Sequence, residues 1–249
     1  MYKSSKQPSV SEKGLLSGQP ILSVIVPVHN EEEILESQTL RLIAYIPQLT
    51  RDFEVLLIEN GSIDKTLSIL RKMRKQFSFI RVRRIEKADY STAVIEGIKA
   101  ARGKYSIVTG IDYVDLTVLS RCLDALKHSD IVICSKNKGV DGRPLSSRLV
   151  NQCYNKLVRL FFALRYSDIE GYHGYQTKRI QALVADVETK KHLCNLWILA
   201  KAREAGLRVD EVPLIVFERR KSKFMRMTRV PYLATVSFME FIRLKSKGY

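Results

Sequence analysis

Short apolar strands alternate with helices over residues 21–134, and this alternation constrains the fold more than any other feature. The strand candidates are runs rich in β-branched residues, of which Ile21–Val28 and Phe53–Ile58 are the clearest. Residues with helical periodicity follow each run. Because parallel strands must be joined by a crossover, usually a helix, this order predicts βαβ units and a mostly parallel sheet. We therefore expect a single Rossmann-like α/β domain flanked by helices.

The remaining elements follow from the same patterns. We expect further strands at Phe79–Ile85, Tyr105–Thr109, Asp130–Cys134 and Val212–Phe217. We expect helices at Glu31–Leu49 with Asn30 as its N-cap, Asp64–Gln76, Ser91–Arg102, Leu116–Lys127, Ser146–Leu164, Gln176–Val184, His192–Ala205 and Pro231–Leu244. In this interpretation residues 1–20 form a flexible basic leader, residues 21–225 the domain, and residues 226–249 a basic, amphipathic C-terminal segment.

The charge balance indicates an anionic partner. The chain has 42 Lys and Arg against 26 Asp and Glu, which gives a net charge of +16. Nucleic acid is not the expected partner, because the sequence has no RNP-type aromatic motif, zinc finger or basic region with heptads. Its four cysteines are widely spaced and lack a metal-binding pattern, which is typical of reduced thiols in the cytosol.

Two further features concern membranes. The polar N-terminus lacks a signal-peptide core, and no apolar run reaches the roughly 18 residues of a membrane span. Arg219–Arg229 contains six basic residues and no acid, and the apolar Pro231–Leu244 follows it. This order is typical of a membrane-surface element, with the second stretch equally able to pack on the core. We therefore expect a cytoplasmic protein, neither secreted nor membrane-spanning, that binds an anionic membrane surface peripherally.

Polar side chains follow three of the predicted strands. His29, Asn30 and Glu31 follow the first strand, and Gly110–Asp115 follows the fourth. The second strand is followed by Glu59, Asn60, Ser62 and Asp64. Ligands of open parallel sheets bind beyond the carboxyl ends of the strands, so we expect these groups to share one site. They suit a nucleotide's ribose and base, or a hard cation bridging phosphates. The sequence has neither GxGxxG after a strand nor a P-loop.

Several segments together resemble the family 2 glycosyltransferases of GT-A fold, in particular the dolichyl- or polyprenyl-phosphate sugar transferases. They are SVIVPVHNEEEIL, ENGSIDKT, KYSIVTGIDYVD, DIVICSK, SDIEGY and AREAGLRVDEVPLIVFERRKSK, and they extend over residues 21–225. The resemblance implies inverting transfer of a sugar from a GDP-mannose or UDP-glucose type of donor. The implied acceptor is a polyprenyl or dolichyl phosphate at the cytoplasmic membrane face.

The resemblance also implies roles for individual residues. Pro27, Asn30 and Glu31 would lie against the base and ribose, with Glu59 and Asn60 at positions where the family has aspartates. Asp112 matches the last aspartate of the metal-binding DxD motif. Ser222 and Lys223, which follow Arg219 and Arg220, match a basic segment near the lipid phosphate and the diphosphate.

Two positions depart from the family pattern. Gly110 replaces the first aspartate of the DxD motif, and Val114 stands where a glutamine ligand is common. A divalent cation, Mg²⁺ or Mn²⁺, would then depend on Asp112 with Asp115 as a substitute ligand. Otherwise basic side chains must stabilise the leaving group, and the candidates are Lys136, Arg143, Arg219, Arg220 and Lys223. In a third interpretation, Asp112 and Asp115 only cap the next helix.

The acceptor remains open at this stage. A phosphate acceptor is already an anion and needs no strong base, whereas a hydroxyl acceptor needs one. Asp168 and Glu170 are the best candidates for that base. The alternatives are therefore transfer to a lipid phosphate, transfer to a glycan or other acceptor, and a degenerate member that binds a nucleotide-sugar without turnover. Glu59 and Asp64 have a plainer interpretation as caps of a turn and the following helix.

Overall fold

The computed structural model describes residues 18–111, 115–185, 193–216 and Ile242. Its strands are β1 (Leu22–Val28), β2 (Phe53–Asn60), β3 (Ile80–Ile85), β4 (Tyr105–Val108), β5 (Ile131–Asp141), β6 (Tyr172–Gln176) and β7 (Val209–Val216). Its helices are α1 (Leu35–Tyr45), α2 (Thr66–Gln76), α3 (Tyr90–Ala100), α4 (Thr117–Ala125), α5 (Leu145–Phe162), α6 (Thr177–Leu183) and α7 (Cys194–Glu204). The 3-10 turn Ile46–Gln48 follows α1.

One seven-stranded sheet, in the order β3-β2-β1-β4-β6-β5-β7, organises these elements. All neighbouring strands are parallel except β6, which is antiparallel to both β4 and β5. The expected α/β domain with a mostly parallel sheet flanked by helices is therefore confirmed. The antiparallel strand was not predicted, because Tyr172–Gln176 is short and contains glycine and histidine.

Two hydrophobic cores cover the two faces of the sheet. On one face, buried side chains of α1, α2 and α4 pack against β1 and β2, including Leu42, Leu70 and Leu119. On the other face α3, α5, α6 and α7 contribute, and Ile98 and Leu199 are among the fully buried residues. A parallel sheet needs both faces covered in this way, which explains the almost entirely buried runs of β1 and β2.

Some element boundaries differ from those predicted. Helix α1 begins at Leu35 rather than Glu31, and Asn30 does not cap it, because its backbone has a φ of 55°. Strand β5 continues to Asp141, well past Cys134, with an irregular register after Ser135. The predicted leader and the helix Pro231–Leu244 lie outside the described residues, apart from three leader positions and Ile242. No described helix is long and apolar enough to cross a bilayer.

Candidate functional site

Strand register places the predicted site residues along one edge of the sheet. Val28 of β1 is level with Glu59 of β2, and both strands are ending at that point. Because β6 is antiparallel, its first residues lie beside the carboxyl end of β4 and the first half of β5, where Tyr172 pairs with Cys134. The candidate residues therefore form two groups, one after β1 and β2 and the other around β5 and β6. The exit of β4 at Gly110 lies between them.

The first group joins the loops after β1 and β2. The Nδ1 atom of His29 lies 2.7 Å from the carbonyl oxygen of Asn60. Asn30 donates its backbone N–H to the Ser62 hydroxyl at 3.1 Å, and its side-chain oxygen accepts from the N–H of Ile63 at 2.9 Å. Asparagine tolerates the left-handed φ that Asn30 adopts better than most residues. These contacts hold the two loops in one arrangement.

The side chains of Glu59 and Asn60 are almost fully buried, and their polar atoms contact other groups of the protein. One carboxylate oxygen of Glu59 accepts the N–H of Ser62 at 2.5 Å, and the other lies 3.3 Å from Nε of Arg84. The side-chain oxygen of Asn60 accepts the N–H of Asp89 at 2.8 Å. In this arrangement both side chains shape the turn that a ligand would contact.

The turn itself requires glycine at position 61. Gly61 has a φ of 64°, and a Cβ there would lie 2.7 Å from the backbone nitrogen of Ala88. Any other residue would therefore be strained and would press on the loop before α3. The close approach keeps the β2 loop against that segment.

Asp64 stabilises the start of α2. Its two oxygens accept the backbone N–H groups of Thr66 at 2.9 Å and Glu32 at 3.3 Å. Burial would raise the pKa of Asp64, but these hydrogen bonds outweigh it and the pKa lies below its ordinary value. The capping interpretation of Asp64 thus agrees with its contacts. Among the predicted residues of this half, His29 is exposed, and Pro27, Asn30, Glu31, Ser62 and Asp64 are partly exposed.

In the second group, a buried ion pair joins the middle of β5 to the loop before β6. Nζ of Lys136 lies 2.7 Å from Oδ2 of Asp168 and 2.9 Å from the carbonyl oxygen of Glu170. Asp168 also accepts the backbone N–H groups of Lys136 and Glu170 and the amide of Asn151. Burial would raise the pKa of Asp168, but the charge of Lys136 and these hydrogen bonds hold it below its ordinary value. Asp168 is therefore an ionised anchor whose oxygens are already occupied.

Glu170 differs from Asp168 in its environment. Burial, opposed by the charge of Lys136, raises the pKa of Glu170 to about 7. Its Oε1 atom and the hydroxyl of Tyr154 are buried, and neither makes a hydrogen bond of good geometry to a described residue. The two groups lie close enough for each to affect the other's pKa. Glu170 therefore exchanges its proton near neutral pH.

His173 lies in β6 beneath this ion pair. It is buried, and its Nδ1 atom lies 3.1 Å from the hydroxyl of Tyr175. Burial lowers the pKa of His173 to about 4, despite the nearby charge of Asp168. Its imidazole is therefore neutral at physiological pH and belongs to the interior rather than to a ligand surface.

Asp115, the proposed substitute metal ligand, is held by protein groups. One oxygen accepts from the backbone and hydroxyl of Thr117 at 3.1 and 2.6 Å. The other lies 3.0 Å from Arg121 and 3.3 Å from the N–H of Ile215. Within the described residues, no three His, Cys, Asp or Glu side chains are grouped as metal ligands. A cation site built on Asp112 stays a prediction, because Asp112 lies outside the described residues.

Several predicted residues cannot be placed. Asp112 and Val114 lie outside the described residues, and so do Arg219, Arg220, Ser222 and Lys223. The sequence interpretation also missed contributors to the second group, namely Asn151, Asn155 and Tyr154 of α5. The first two are spaced four residues apart, in phase with the buried Val158 and Phe162. This polar pair on the inward side of a helix was a readable signal.

Comparison with known proteins agrees with this architecture. The family described as Glycosyl transferase family 2 matches residues 23–181. The Mycobacterium tuberculosis glucosyl-3-phosphoglycerate synthase, solved with Mn²⁺, UDP and glucosyl-3-phosphoglycerate, superposes with a TM-score of 0.65 at 16% identity. The superposition covers 90% of this chain and 80% of that one. The structure of Staphylococcus aureus TarS 1-349 superposes with a TM-score of 0.51 at 21% identity, over 77% of this chain and 57% of that one.

Three relatives match by sequence. The uncharacterized glycosyltransferase EpsJ of Bacillus subtilis is 34% identical over 46% of this chain and 33% of its own length. Glycosyltransferase AglD of Haloferax volcanii is 26% identical over 78% of this chain and 32% of its own length. The dolichol-phosphate mannosyltransferase of Pyrococcus furiosus is 28% identical over 60% of this chain and 47% of its own length. The matches therefore span less than half the length of each of these three relatives. Because the family model matches more than half of its length, the chain belongs to glycosyl transferase family 2.

Proposed function

We propose that the protein transfers a sugar from a nucleotide-sugar to a polyprenyl phosphate at the cytoplasmic face of a membrane. Family membership supports the reaction class. The dolichol-phosphate mannosyltransferase relative supports a lipid phosphate as acceptor, and the UDP complex of the mycobacterial neighbour supports a nucleotide-sugar donor. The net charge of +16 agrees with a reaction in which the donor, acceptor and membrane are all anionic.

The donor would bind at the loops after β1 and β2. The exposed His29 and the partly exposed Pro27, Asn30 and Glu31 offer ring, amide and carboxylate groups to a base and ribose. Glu59 and Asn60, buried behind them, would hold these loops through Ser62 and Asp89. The hydrogen bonds among the loops give the donor site a fixed shape before any ligand arrives.

Transfer would proceed by inverting displacement at the anomeric carbon. An acceptor phosphate oxygen forms the new bond to this carbon while the bond to the nucleoside diphosphate breaks. Negative charge builds up on the leaving diphosphate and must be neutralised by fixed cationic groups. Asp112, which follows β4 in the sequence, is proposed to act at the diphosphate, and the basic residues Arg219, Arg220 and Lys223, with Ser222, are proposed to bind the phosphates. A divalent cation, where bound, would supply the same neutralisation.

The state of Asp168 is the single observation on which the choice of acceptor rests. The proposed base is fully buried, has a lowered pKa and already accepts four hydrogen bonds or ion-pair contacts. Such a carboxylate is a poor proton acceptor, and we assign it the role of positioning β5 and the loop before β6. A polyprenyl phosphate reaches the site already ionised and needs no such base.

A second acceptor class is favoured by Glu170. A carboxyl group with a pKa of about 7 is well matched to accept a proton from a hydroxyl at neutral pH. In that case the acceptor would be a glycan or another alcohol, and Glu170 would take its proton.

Acceptor preference in wild-type and Glu170→Gln protein distinguishes the two. Labelled sugar transfer would be compared with polyprenyl phosphate and with the matching polyprenol, using GDP-mannose and UDP-glucose as donors. We expect product with the phosphate alone, and its formation should persist in Glu170→Gln. Product with the alcohol that disappears in Glu170→Gln would favour the second acceptor class.

A further inference from the structure

Helix α5 has an outer surface that is unusual for a protein in water. Three of its leucines that face outward are largely exposed, with 51% of Leu149, 49% of Leu157 and 76% of Leu160 accessible. Leu145, Val150 and Phe161 are also exposed. We call these six residues the α5 apolar face.

Helix geometry places these six residues on one side of α5. The inward stripe of α5 consists of Asn151, Asn155, Val158 and Phe162, all of them buried. At 3.6 residues per turn, the six exposed apolar residues occupy an arc of about 160° on the roughly opposite side. Cys153, which is exposed, lies near the middle of that arc. An ordinary surface helix would place charged and polar residues there.

Positive charge borders the α5 apolar face. Arg148 and Arg159 lie just outside one margin of it, Lys156 lies just inside the same margin, and all three are exposed. The sequence from Pro144 to Tyr166 contains no aspartate or glutamate. Apolar side chains beside lysine and arginine, without acids, are the composition of helices that lie in the interface of an anionic membrane.

We propose that the α5 apolar face docks on an anionic lipid bilayer, with Arg148, Lys156 and Arg159 at the level of the phosphate headgroups. Leu149, Leu157 and Leu160 would enter the acyl boundary. This surface is distinct in sequence from the membrane-surface element expected at Arg219–Leu244, and it lies on described residues.

The docked helix would also set the distance between membrane and site. The inward stripe of α5 contacts the loop before β6, where Asn151 donates to Asp168 at 3.4 Å and Asn155 accepts from Ile169 at 2.9 Å. A bilayer on the outer face would therefore lie one helix away from the Lys136–Asp168 pair. This last step rests on the proposed function, whereas docking itself does not.

A label on Cys153 tests the docking directly, because the other three cysteines are buried. The full chain would carry a polarity-sensitive fluorophore at this thiol and be mixed with vesicles of phosphatidylcholine and phosphatidylglycerol, without donor or polyprenyl phosphate. We expect a blue shift in emission that high salt reduces. The control is the double variant Cys153→Ser/Ser68→Cys, with its label on α2 at the opposite face of the sheet. It should show no shift.

Two sets of substitutions separate the contributions of charge and apolar contact. Replacing Arg148, Lys156 and Arg159 together by glutamine should weaken vesicle binding about a hundredfold, since each charge strengthens binding about fivefold. The matched control neutralises Arg71, Arg74 and Lys75 on α2, which removes the same net charge. Leu157→Ser/Leu160→Ser should abolish the blue shift, whereas the control Ile21→Ser/Leu40→Ser should retain it. Circular dichroism confirms that each variant is folded.

Three results would overturn the proposal. A label that is shielded before vesicles are added and unaffected by them would mean that another segment of the chain covers α5. A blue shift that depends on protein concentration, without lipid, would mean that a second copy binds there. Equal losses for the α5 and α2 charge variants would mean that binding is non-specific. Sugar transfer, assayed separately in detergent with a short-chain acceptor, tests the proposed function independently.

Discussion

Nζ of Lys136 lies 2.7 Å from Oδ2 of Asp168, and the two side chains are only 6% and 0% exposed. The pair joins the middle of β5 to the loop that precedes β6. It is therefore the contact that fixes the second half of the candidate site, on the same edge as the loops after β1 and β2.

Breaking this pair on one side should be costly. We expect Lys136→Met and Asp168→Asn each to lower the free energy of unfolding by about 3–5 kcal/mol, because each leaves a buried group without its partner. The double variant should lose much less stability than the sum of the two single-variant losses. Urea unfolding of all four proteins measures this coupling, and strictly additive losses would contradict it.

The pH dependence of the same pair has a defined sign. The pKa of Asp168 lies below its ordinary value of 3.8, so the folded state releases this proton more readily than the unfolded state. Its stabilisation is therefore present above pH 3.8 and is lost as pH falls through the folded-state pKa. Asp168→Asn should remove this part of the acid unfolding of the wild type.

Glu170 should have the opposite effect. Its pKa rises from 4.5 to about 7 on folding, so the folded state holds the proton more tightly. Between these values the wild type should lose stability as pH rises, by an amount on the order of 3 kcal/mol. Glu170→Gln, which stays neutral, should show a smaller loss over the same interval. Urea unfolding below pH 4.5 and above pH 7 tests this, and identical profiles would contradict the raised pKa.

Asn30 should matter for nucleotide binding. Asn30→Ala removes the acceptor for Ile63 N–H and places alanine at a φ of 55°. We expect binding of UDP or GDP, measured by titration calorimetry, to weaken about tenfold. Asn30→Asp keeps an acceptor oxygen and should bind more tightly than Asn30→Ala.

Gly206→Ala is the matched control for Asn30→Ala. Gly206 has a φ of 64°, and space is available for a Cβ there, so alanine introduces similar backbone strain. Gly206 precedes the amino end of β7, where Val209 pairs with Ile131, whereas the donor loops follow the carboxyl ends of β1 and β2. It should lower stability without changing nucleotide affinity. Equal affinities in all four proteins would remove Asn30 from the donor site.

Asp115 provides a test of its two interpretations. Asp115→Ala should lower the free energy of unfolding by about 1–2 kcal/mol, because α4 loses hydrogen bonds at its start and Arg121 loses its partner. Any rise in Tm caused by Mn²⁺ should be the same in wild type and variant. Asp124→Ala, on the same helix, is the surface control. A Mn²⁺ effect that vanishes only in Asp115→Ala would make Asp115 a metal ligand.

Local patterns predicted most of the fold. The β-branched runs of β1 and β2 are buried on both faces, so their apolar residues were visible as continuous stretches. Strand β6 was not visible, because its stability comes from pairing with β4 and β5 on both sides rather than from its own composition. The start of α1 was misjudged since Asn30 binds the neighbouring loop instead of capping the helix.

The candidate site was predicted as a set of residues but not as a set of contacts. Strand order along a parallel sheet was enough to group Asn30, Glu59 and Asp64 at one edge. Nothing in the spacing of Lys136 and Asp168, 32 residues apart, indicates an ion pair. That contact arises because the antiparallel strand β6 places its preceding loop beside the middle of β5.

Sugar transfer by the full chain tests the central claim most directly. Purified wild-type and Asp112→Ala proteins would be incubated with labelled GDP-mannose or UDP-glucose and polyprenyl phosphate, and the lipid extract would be counted. We expect a labelled lipid from one donor with the wild type, and none with Asp112→Ala at unchanged thermal stability. A folded wild type that binds nucleotide yet forms no product from either donor would contradict the claim, and full activity of Asp112→Ala would contradict the assigned site.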